Sequence, residues 1–272
     1  MEDANEVVRC DVREGIAWLA INRPDKLNAL SSTVVIAMRQ WIQKLNEDDA
    51  VRVIVIKGAG KAFSVGYDIA EEVAAGIERP EDWHDALTRN VDLSMSVWAS
   101  HKPTIAAVDG WCLAGACELA MACDMIIATE RSRFGEPEIR FGSGPVTLLM
   151  PFLIGQKKTN ELLLTGDVIS AAEAEKIGLI NRVVPEEELI GTVEKLARKI
   201  AVTPNITLKL TKIALTRAYE AMGLRQAVNA NLDVAATLNA AYSPEKLGFA
   251  QRVKDEGLRQ ALDWRDSRYG KL

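Results

Sequence analysis

The chain has 272 residues, 48% hydrophobic and 26% charged, and 33 Lys+Arg against 38 Asp+Glu give a net charge of -5; this supports a globular core and excludes intrinsic disorder. A mildly acidic chain without a basic block is not built to wrap nucleic acid, whose phosphates require clustered Lys and Arg. The most apolar stretch, 105–129, is broken by Asp109, Glu118 and Asp124, short of the ~18 uncharged apolar residues of a membrane span. Residues 1–10 lack a basic segment followed by an apolar run, so the expected setting is the cytoplasm.

Val7, Val8, Cys10 and Val12 predict a first strand and residues 16–21 a second, with Gly15 in the turn of a hairpin. Residues 22–26 are loop by composition. Ser31 or Ser32 is placed to cap a helix whose apolar face is Val35, Met38, Ile42 and Leu45. Residues 51–56 read as a buried strand. A strand at 104–108, a short helix at 116–123 and a strand at 125–128 follow, so the order is that of an α/β layer fold. From Pro185 onward the character changes. Residues 186–200, 204–222, 224–239 and 244–262 are helical patterns with no strand among them. The expected organisation is an α/β core over 1–200 and a helical region over 201–272 whose apolar faces cover the core or a neighbouring subunit.

Several familiar chemistries fail on the residues. Gly58-Ala59-Gly60-Lys61 follows a strand, but Val55 stands where a phosphate-binding loop needs its first glycine, and Ala62 follows the lysine. Phe63 occupies the last glycine of a dinucleotide fingerprint, and Ala62 replaces the first glycine of a nucleophile elbow. Cys112, Cys117 and Cys123 match no zinc spacing and have no histidine beside them, so no metal is expected and the thiols read as small core residues.

Residues 110–124 are more informative. Glu118 sits there among small and apolar residues, where desolvation raises a carboxyl pKa. Gly115, just before a helix, lets backbone approach a ligand and turns free N–H groups toward developing negative charge. Twenty residues on, 134–139 carries further carboxylates, Glu136 and Glu138, in a turn after a short strand. Two carboxylates brought together by a fold can serve as general base and general acid.

These residues, in their order, resemble the crotonase superfamily, the enoyl-CoA hydratase/isomerase family. The resemblance runs from about residue 7 to 265 and rests on Asn22-Arg23-Pro24 through Asn28-Ala29-Leu30, on 61–69, on Lys102-Pro103 through Asp109-Gly110, on the Gly115 to Asp124 segment and on Phe134 to Ile139. It implies a spiral of β-β-α units with C-terminal helices that drive trimer formation, usually doubled into a hexamer. It implies an oxyanion hole from the backbone N–H groups of Tyr67 and Gly115, and Glu118 and Glu138 as the pair holding the attacking water. Coenzyme A, as the thioester substrate rather than a resident cofactor, would run along Lys26, Leu27 and Ala29 and along Tyr67, Asp68, Ile69 and Ala70. Tyr269 or Lys271 of a neighbour's C-terminal helix would complete the nucleotide site.

The implied activity is reversible hydration of trans-2-enoyl-CoA to 3-hydroxyacyl-CoA. An isomerase, a carbon–carbon lyase and a non-catalytic acyl-CoA-binding paralogue use the same frame and remain open. This chain also departs from the family pattern. Ala116 replaces a glycine, with a methyl that could press on the thioester, and Tyr67 is bulky where small residues are frequent. Residues 146–151 replace a Gly-Gly-Thr-Gln-Arg-Leu run and are expected to reshape the acyl pocket. Glu136 is expected to be an exposed charge, and Trp41, Trp83 and Trp98 are expected to be packing groups.

Overall fold

The structure, a computed structural model, describes residues 3–270. Its ten strands are β1 (Val8–Arg13), β2 (Ile16–Ile21), β3 (Val53–Gly58), β4 (Ala62–Ser64), β5 (Thr104–Val108), β6 (Trp111–Leu113), β7 (Met125–Thr129), β8 (Arg133–Gly135), β9 (Ile169–Ser170) and β10 (Arg182–Val184). They form a six-stranded sheet in the order β1-β2-β3-β5-β7-β10 and a four-stranded sheet in the order β4-β6-β8-β9. The hairpin forms as expected, antiparallel, with Glu14 and Gly15 at positive φ in its turn. Val7 is not in the first strand. It closes a short helix, α1 (Ala4–Val7), whose first turn is held by the Asp3 carbonyl.

From β2 onward the large sheet is parallel, and it is covered on both faces, which explains why its strands read as nearly unbroken apolar runs. Alternate residues part to opposite sides. Ile16, Trp18, Val53, Val55, Ile105, Ala107 and Ile127 meet Leu189, Val193 and Ala197 of α8 (Leu189–Ala201). Ala17, Leu19, Ile21, Ile54, Ile56, Ala106 and Val108 face the main core. That core also contains Val34, Val35, Met38, Ile42 and Leu45 of α2 (Ser32–Glu47) and Leu87, Val91 and Met95 of α4 (Pro80–Trp98). Ser31 caps α2, its hydroxyl accepting from the Val34 N–H at 3.4 Å.

The chain steps repeatedly from the large sheet to the small one and then into helix. β3 and β4 precede α3 (Ile69–Ala75) and α4; β5 and β6 precede α5 (Gly115–Met121); β7 and β8 precede α6 (Met150–Thr165). A short α7 (Ala171–Lys176) leads to β10. This is the β-β-α spiral. The small sheet is the part that hydropathy does not disclose, because strands of two or three residues are too short to show alternation.

The last helices are α9 (Asn205–Ala221), α10 (Leu224–Ala240), α11 (Pro244–Asp255) and α12 (Leu258–Ser267). The single pattern expected over 244–262 divides in two because Gly257, at φ 92°, turns the chain. A buried lysine pins α9 to the core. Lys212 Nζ donates to the Lys102 carbonyl at 2.9 Å and to Asp124 Oδ2 at 2.7 Å. Asp124 Oδ2 also accepts from the Thr104 N–H and hydroxyl, so Asp124 is structural. Among the described residues no helix is long and apolar enough to cross a membrane, and no three His, Cys, Asp or Glu side chains are grouped to hold a metal. Cys112, Cys117 and Cys123 are buried and unbridged.

A second pin organises the loop 22–30. Asn28, fully buried and at φ 59°, donates from Nδ2 to the Ala59 and Ala62 carbonyls at 2.8 and 2.7 Å and accepts from the Arg23 N–H at 2.9 Å. Arg23 in turn donates to the Ala29 carbonyl at 2.7 Å and pairs with Asp68 at 3.0 Å. Asn28→Ala leaves buried backbone groups without partners, and it is predicted to cost about 1–3 kcal/mol in urea unfolding. A loss below about 0.5 kcal/mol, the range of neutral surface changes, would mean the Asn28 bonds do not hold this loop.

Candidate active site

The small sheet decides which loops meet. β4, β6 and β8 run parallel with Ser64 opposite Cys112 and Leu113 opposite Gly135. Their C-terminal ends therefore release residues 65–68, 114–115 and 136–138 side by side. Gly66, at φ 91°, packs so close to the second loop that a Cβ on it would lie 2.6 Å from Ala114 Cβ and 3.2 Å from Gly115 N.

Each of the first two loops turns an N–H outward. Leu30 bridges the first, donating to the Gly66 carbonyl at 2.8 Å and accepting from the Asp68 N–H at 3.2 Å. That bridge engages the peptide groups on either side of Tyr67 and leaves the Tyr67 N–H without an acceptor among the described residues. In the second loop Ala114 N–H is held by the Gly135 carbonyl at 2.8 Å, and Ala114 takes φ 55°, ψ −136°, a conformation costly for a residue with a Cβ. That turn aims the N–H of Gly115, the first residue of α5, away from the helix; it too meets no acceptor among the described residues. A Cβ at Gly115 would overlap the Tyr67 ring, so only glycine fits beneath it. The Ala116 methyl points into the core, with no exposed surface, and does not line the cleft; the conflict expected there does not arise.

Carboxylates gather beneath these N–H groups. Glu118, on α5, has no exposed surface. Its Oε1 accepts from the Val146 and Thr147 N–H groups at 2.5 and 2.8 Å, while Oε2 has no partner. Burial pushes its pKa up to about 7 against the opposing pull of those two backbone donors and of the neighbouring Thr147 hydroxyl. The divergent segment 146–151 thus serves the site directly, since its first two N–H groups fix a carboxylate. Glu138 follows Pro137 in a 3-10 turn (Pro137–Phe141) and lines the cleft. Burial first, and then the Glu118 charge, raise it to about 8, and its Oε2 is also unpartnered.

Glu136 corrects an expectation. It is 3% exposed rather than a surface charge. It leaves β8 still inside the layer covered by the turn 137–141, and burial together with Glu118 and Glu138 holds its carboxyl well above the usual carboxylate range. The alternation of a surface turn does not apply one residue after a buried strand.

A cleft of about 680 Å³ opens over Tyr67, Ala114 and Glu138. Lys26, Leu27, Ala29, Tyr67, Asp68, Ile69 and Ala70, all expected at the thioester site, line it. Gly115 and Glu118 do not, although Ala114, the neighbour of the first, and Val146, whose N–H holds the second, do. Val146, Phe141, Asn239 and Trp83 form the inner wall, and Leu258, Leu262 and Arg265 of α12 close one side. Trp83 is a packing group of the main core, 7% exposed, whose remaining surface lines the cleft, while Trp98 packs edge-on against Tyr219 and Trp41 lies under Lys44. Within its own chain, Tyr269 stacks on Arg140 at 4.8 Å, beside the 137–141 turn and not at Lys26. Lys271 lies outside the described residues. Two cleft residues went unread in the sequence, Glu72 and Arg265. Each sits in a charged stretch that looks like an ordinary solvated helix face.

A sequence profile of the enoyl-CoA hydratase/isomerase family matches residues 11–251. A probable mitochondrial enoyl-CoA hydratase of Dictyostelium discoideum is 41% identical over 75% of this chain and 73% of its own length. A crotonyl-CoA hydratase of Syntrophomonas wolfei is 35% identical over 98% of both. Among solved structures, an enoyl-CoA hydratase/isomerase from Xanthobacter autotrophicus Py2 superposes with a TM-score of 0.94 at 39% identity, covering 96% of this chain and 98% of that one. With the spiral of β-β-α units and the paired loops already in place, the chain belongs to the enoyl-CoA hydratase/isomerase family of the crotonase superfamily.

Proposed function

We propose that the protein adds water reversibly across the double bond of trans-2-enoyl-CoA thioesters, giving 3-hydroxyacyl-CoA. The observation that carries this reading is the convergence of two N–H groups without acceptors and two buried carboxyls with free oxygens: Tyr67 and Glu138 line the cleft, while Gly115 adjoins Ala114 and Glu118 is bonded to the Val146 N–H, and both Ala114 and Val146 line it. The N–H groups of Tyr67 and Gly115 receive the thioester oxygen as it gains charge; one such donor is worth about 2.7–4 kcal/mol to a transition state. Coenzyme A lies along Lys26, Leu27 and Ala29 and along Asp68, Ile69 and Ala70, with the Lys26 ammonium exposed at the rim to meet phosphate.

The two carboxyls divide the proton work. Glu118, its Oε1 fixed by two backbone donors that favour the anion, takes a proton from water through Oε2 as the water oxygen bonds to C3. Glu138, pushed higher, is the acid that delivers a proton to C2. The C2–C3 π bond is consumed, one C–O and one C–H bond form, and the two protons balance. Two functional carboxyls favour hydration over isomerisation, for which one proton carrier suffices. The names of the relatives, hydratases among them, support the same choice.

Homotrimers or hexamers are also proposed. Ile206 and Leu210 on α9 and Val234 and Leu238 on α10 are 61%, 56%, 62% and 40% exposed at helical spacing, apolar surface that a second copy of the chain would cover. Light scattering is predicted to give three or six times the 29.8 kDa chain mass; a monomer at micromolar concentration would contradict it.

Glu118→Gln and Glu138→Gln are each predicted to lower kcat for crotonyl-CoA hydration by about 10²–10⁴-fold while acyl-CoA still binds. The base must be ionised and the acid protonated, so wild-type kcat should rise with pH through about 7 and fall through about 8. Wild-type rates in both variants, or a pH profile flat across that window, would sink the two-carboxyl mechanism.

A further inference from the structure

Where the cleft adjoins a second cavity, one carboxyl has no donor from the protein. Glu72, on α3, lines both the main cleft and a smaller cavity of about 110 Å³ behind it; Tyr67, Asp68, Trp83 and Leu87 are common to the two. The Tyr67 hydroxyl, common to both cavities, also lacks a partner, as does Glu138 Oε2 in the main cleft, whereas the polar groups of Ser143, Asn239 and Trp83 are engaged. The Ser143 hydroxyl donates to Asn239 Oδ1 at 3.0 Å, and Asn239 Nδ2 donates to the Ala235 carbonyl at 2.9 Å. Trp83 Nε1 donates to the Ile77 carbonyl at 3.1 Å. Lys246 Nζ donates to both the carbonyl and Oδ1 of Asn239 and lies over the Trp83 ring at 5.0 Å. No described residue donates a hydrogen bond to the Glu72 carboxyl, and none forms an ion pair with it within 4 Å. Glu72 is half-buried, so water can satisfy it in the free protein, and the residues common to the two cavities combine this carboxyl, which has no protein donor, with an unpartnered tyrosine hydroxyl that a substrate group entering here would meet.

We propose that this protein's thioester substrate carries a hydroxyl on its acyl group, and that this hydroxyl donates a hydrogen bond to Glu72 where the cleft adjoins the second cavity. This rests on the acyl-CoA reading above and names the substrate class of that same site.

Charge selects the hydroxyl from the other polar possibilities. An acyl chain ending in a carboxylate would meet Glu72 and Glu138 together. An ammonium would enter beside Lys246, which faces Glu72 from α11 and already offsets its charge, while Asp68 and Glu71 flank it on its own element. The pair is close to balanced, and an uncharged donor adds no net charge to it. A wholly apolar chain would cover the carboxyl and remove it from water with nothing in exchange. A site arranged to bond a substrate hydroxyl rejects the analogue that lacks it more strongly than an apolar pocket rejects an added one.

Binding separates this inference from the proposed reaction. The dissociation constants of two matched pairs of saturated, unreactive thioesters would be measured by calorimetry on the wild-type oligomer. The pairs are hexanoyl-CoA with 6-hydroxyhexanoyl-CoA, and 3-phenylpropanoyl-CoA with its 4-hydroxyphenyl counterpart. In at least one pair the hydroxylated member should bind about tenfold more tightly or better. Glu72→Leu should abolish or reverse that ratio, and Glu72→Gln, which keeps a carbonyl acceptor, should retain part of it. Equal binding within both pairs in the wild type, or a hydroxyl preference that survives Glu72→Leu, would overturn the inference. Failure of the wild type to add water to crotonyl-CoA would instead overturn the reaction proposed above, and the binding ratios would still decide the role of Glu72.

Discussion

The site depends on the register of three very short strands. β4, β6 and β8 contribute three residues each, and because they pair in parallel with their ends aligned, the three loops that leave them emerge together. Parallel strands need long crossovers, so residues 67, 115 and 138, remote in sequence, meet only because the large sheet and its helices hold the crossovers in place. The first loop is tied by Leu30 to the segment that Asn28 anchors, and the second by Ala114 to the end of β8. Two N–H groups, that of Tyr67 on the cleft lining and that of Gly115 one residue beyond Ala114, are left without acceptors as a consequence of this pairing. Slippage of either strand would swing its N–H away from the other.

Within that frame the carboxyls create an electrostatic conflict that the fold accommodates locally. Glu118, Glu136 and Glu138 lie within electrostatic reach of one another in a site poor in solvent, so they cannot all be ionised near neutrality. Glu118 is favoured as the anion by two N–H groups from 146–147. Arg265, on α12, opposes the rise of Glu138 from across the cleft. The proposed reaction gives such a cluster a use: the same burial that disfavours charge strengthens every hydrogen bond made to a developing oxyanion. The strained backbone at Ala114 has the same origin, since the turn that aims the Gly115 N–H also costs conformational energy.

Much of this is legible in the residues. The alternation and length of the large strands, the Ser31 cap and the helical periodicities after Pro185 are local signals, and they appear where expected. Gly115 and Glu118 stand out because glycine and a carboxylate among small apolar residues are unusual together. The small sheet is not legible, since three residues carry no period, and neither is the break at Gly257 within one apolar pattern. Glu136 reads as exposed because its burial comes from the layer above it, which no neighbouring residue announces. Glu72 is hidden for the same reason: beside Glu71 it looks like a solvated pair, and only the packing of α3 against the cleft sends one carboxyl outward and the other inward.

The central claim is that the aligned strand ends present the Tyr67 and Gly115 N–H groups to one thioester oxygen. A crystal structure with a saturated, non-hydratable acyl-CoA tests it most directly. The account predicts the thioester oxygen within hydrogen-bonding reach, about 2.7–3.2 Å, of both nitrogens, with the acyl carbons between Glu138 and Tyr67. A thioester oxygen bound to neither nitrogen, or a chain entering from another side of the molecule, would contradict it.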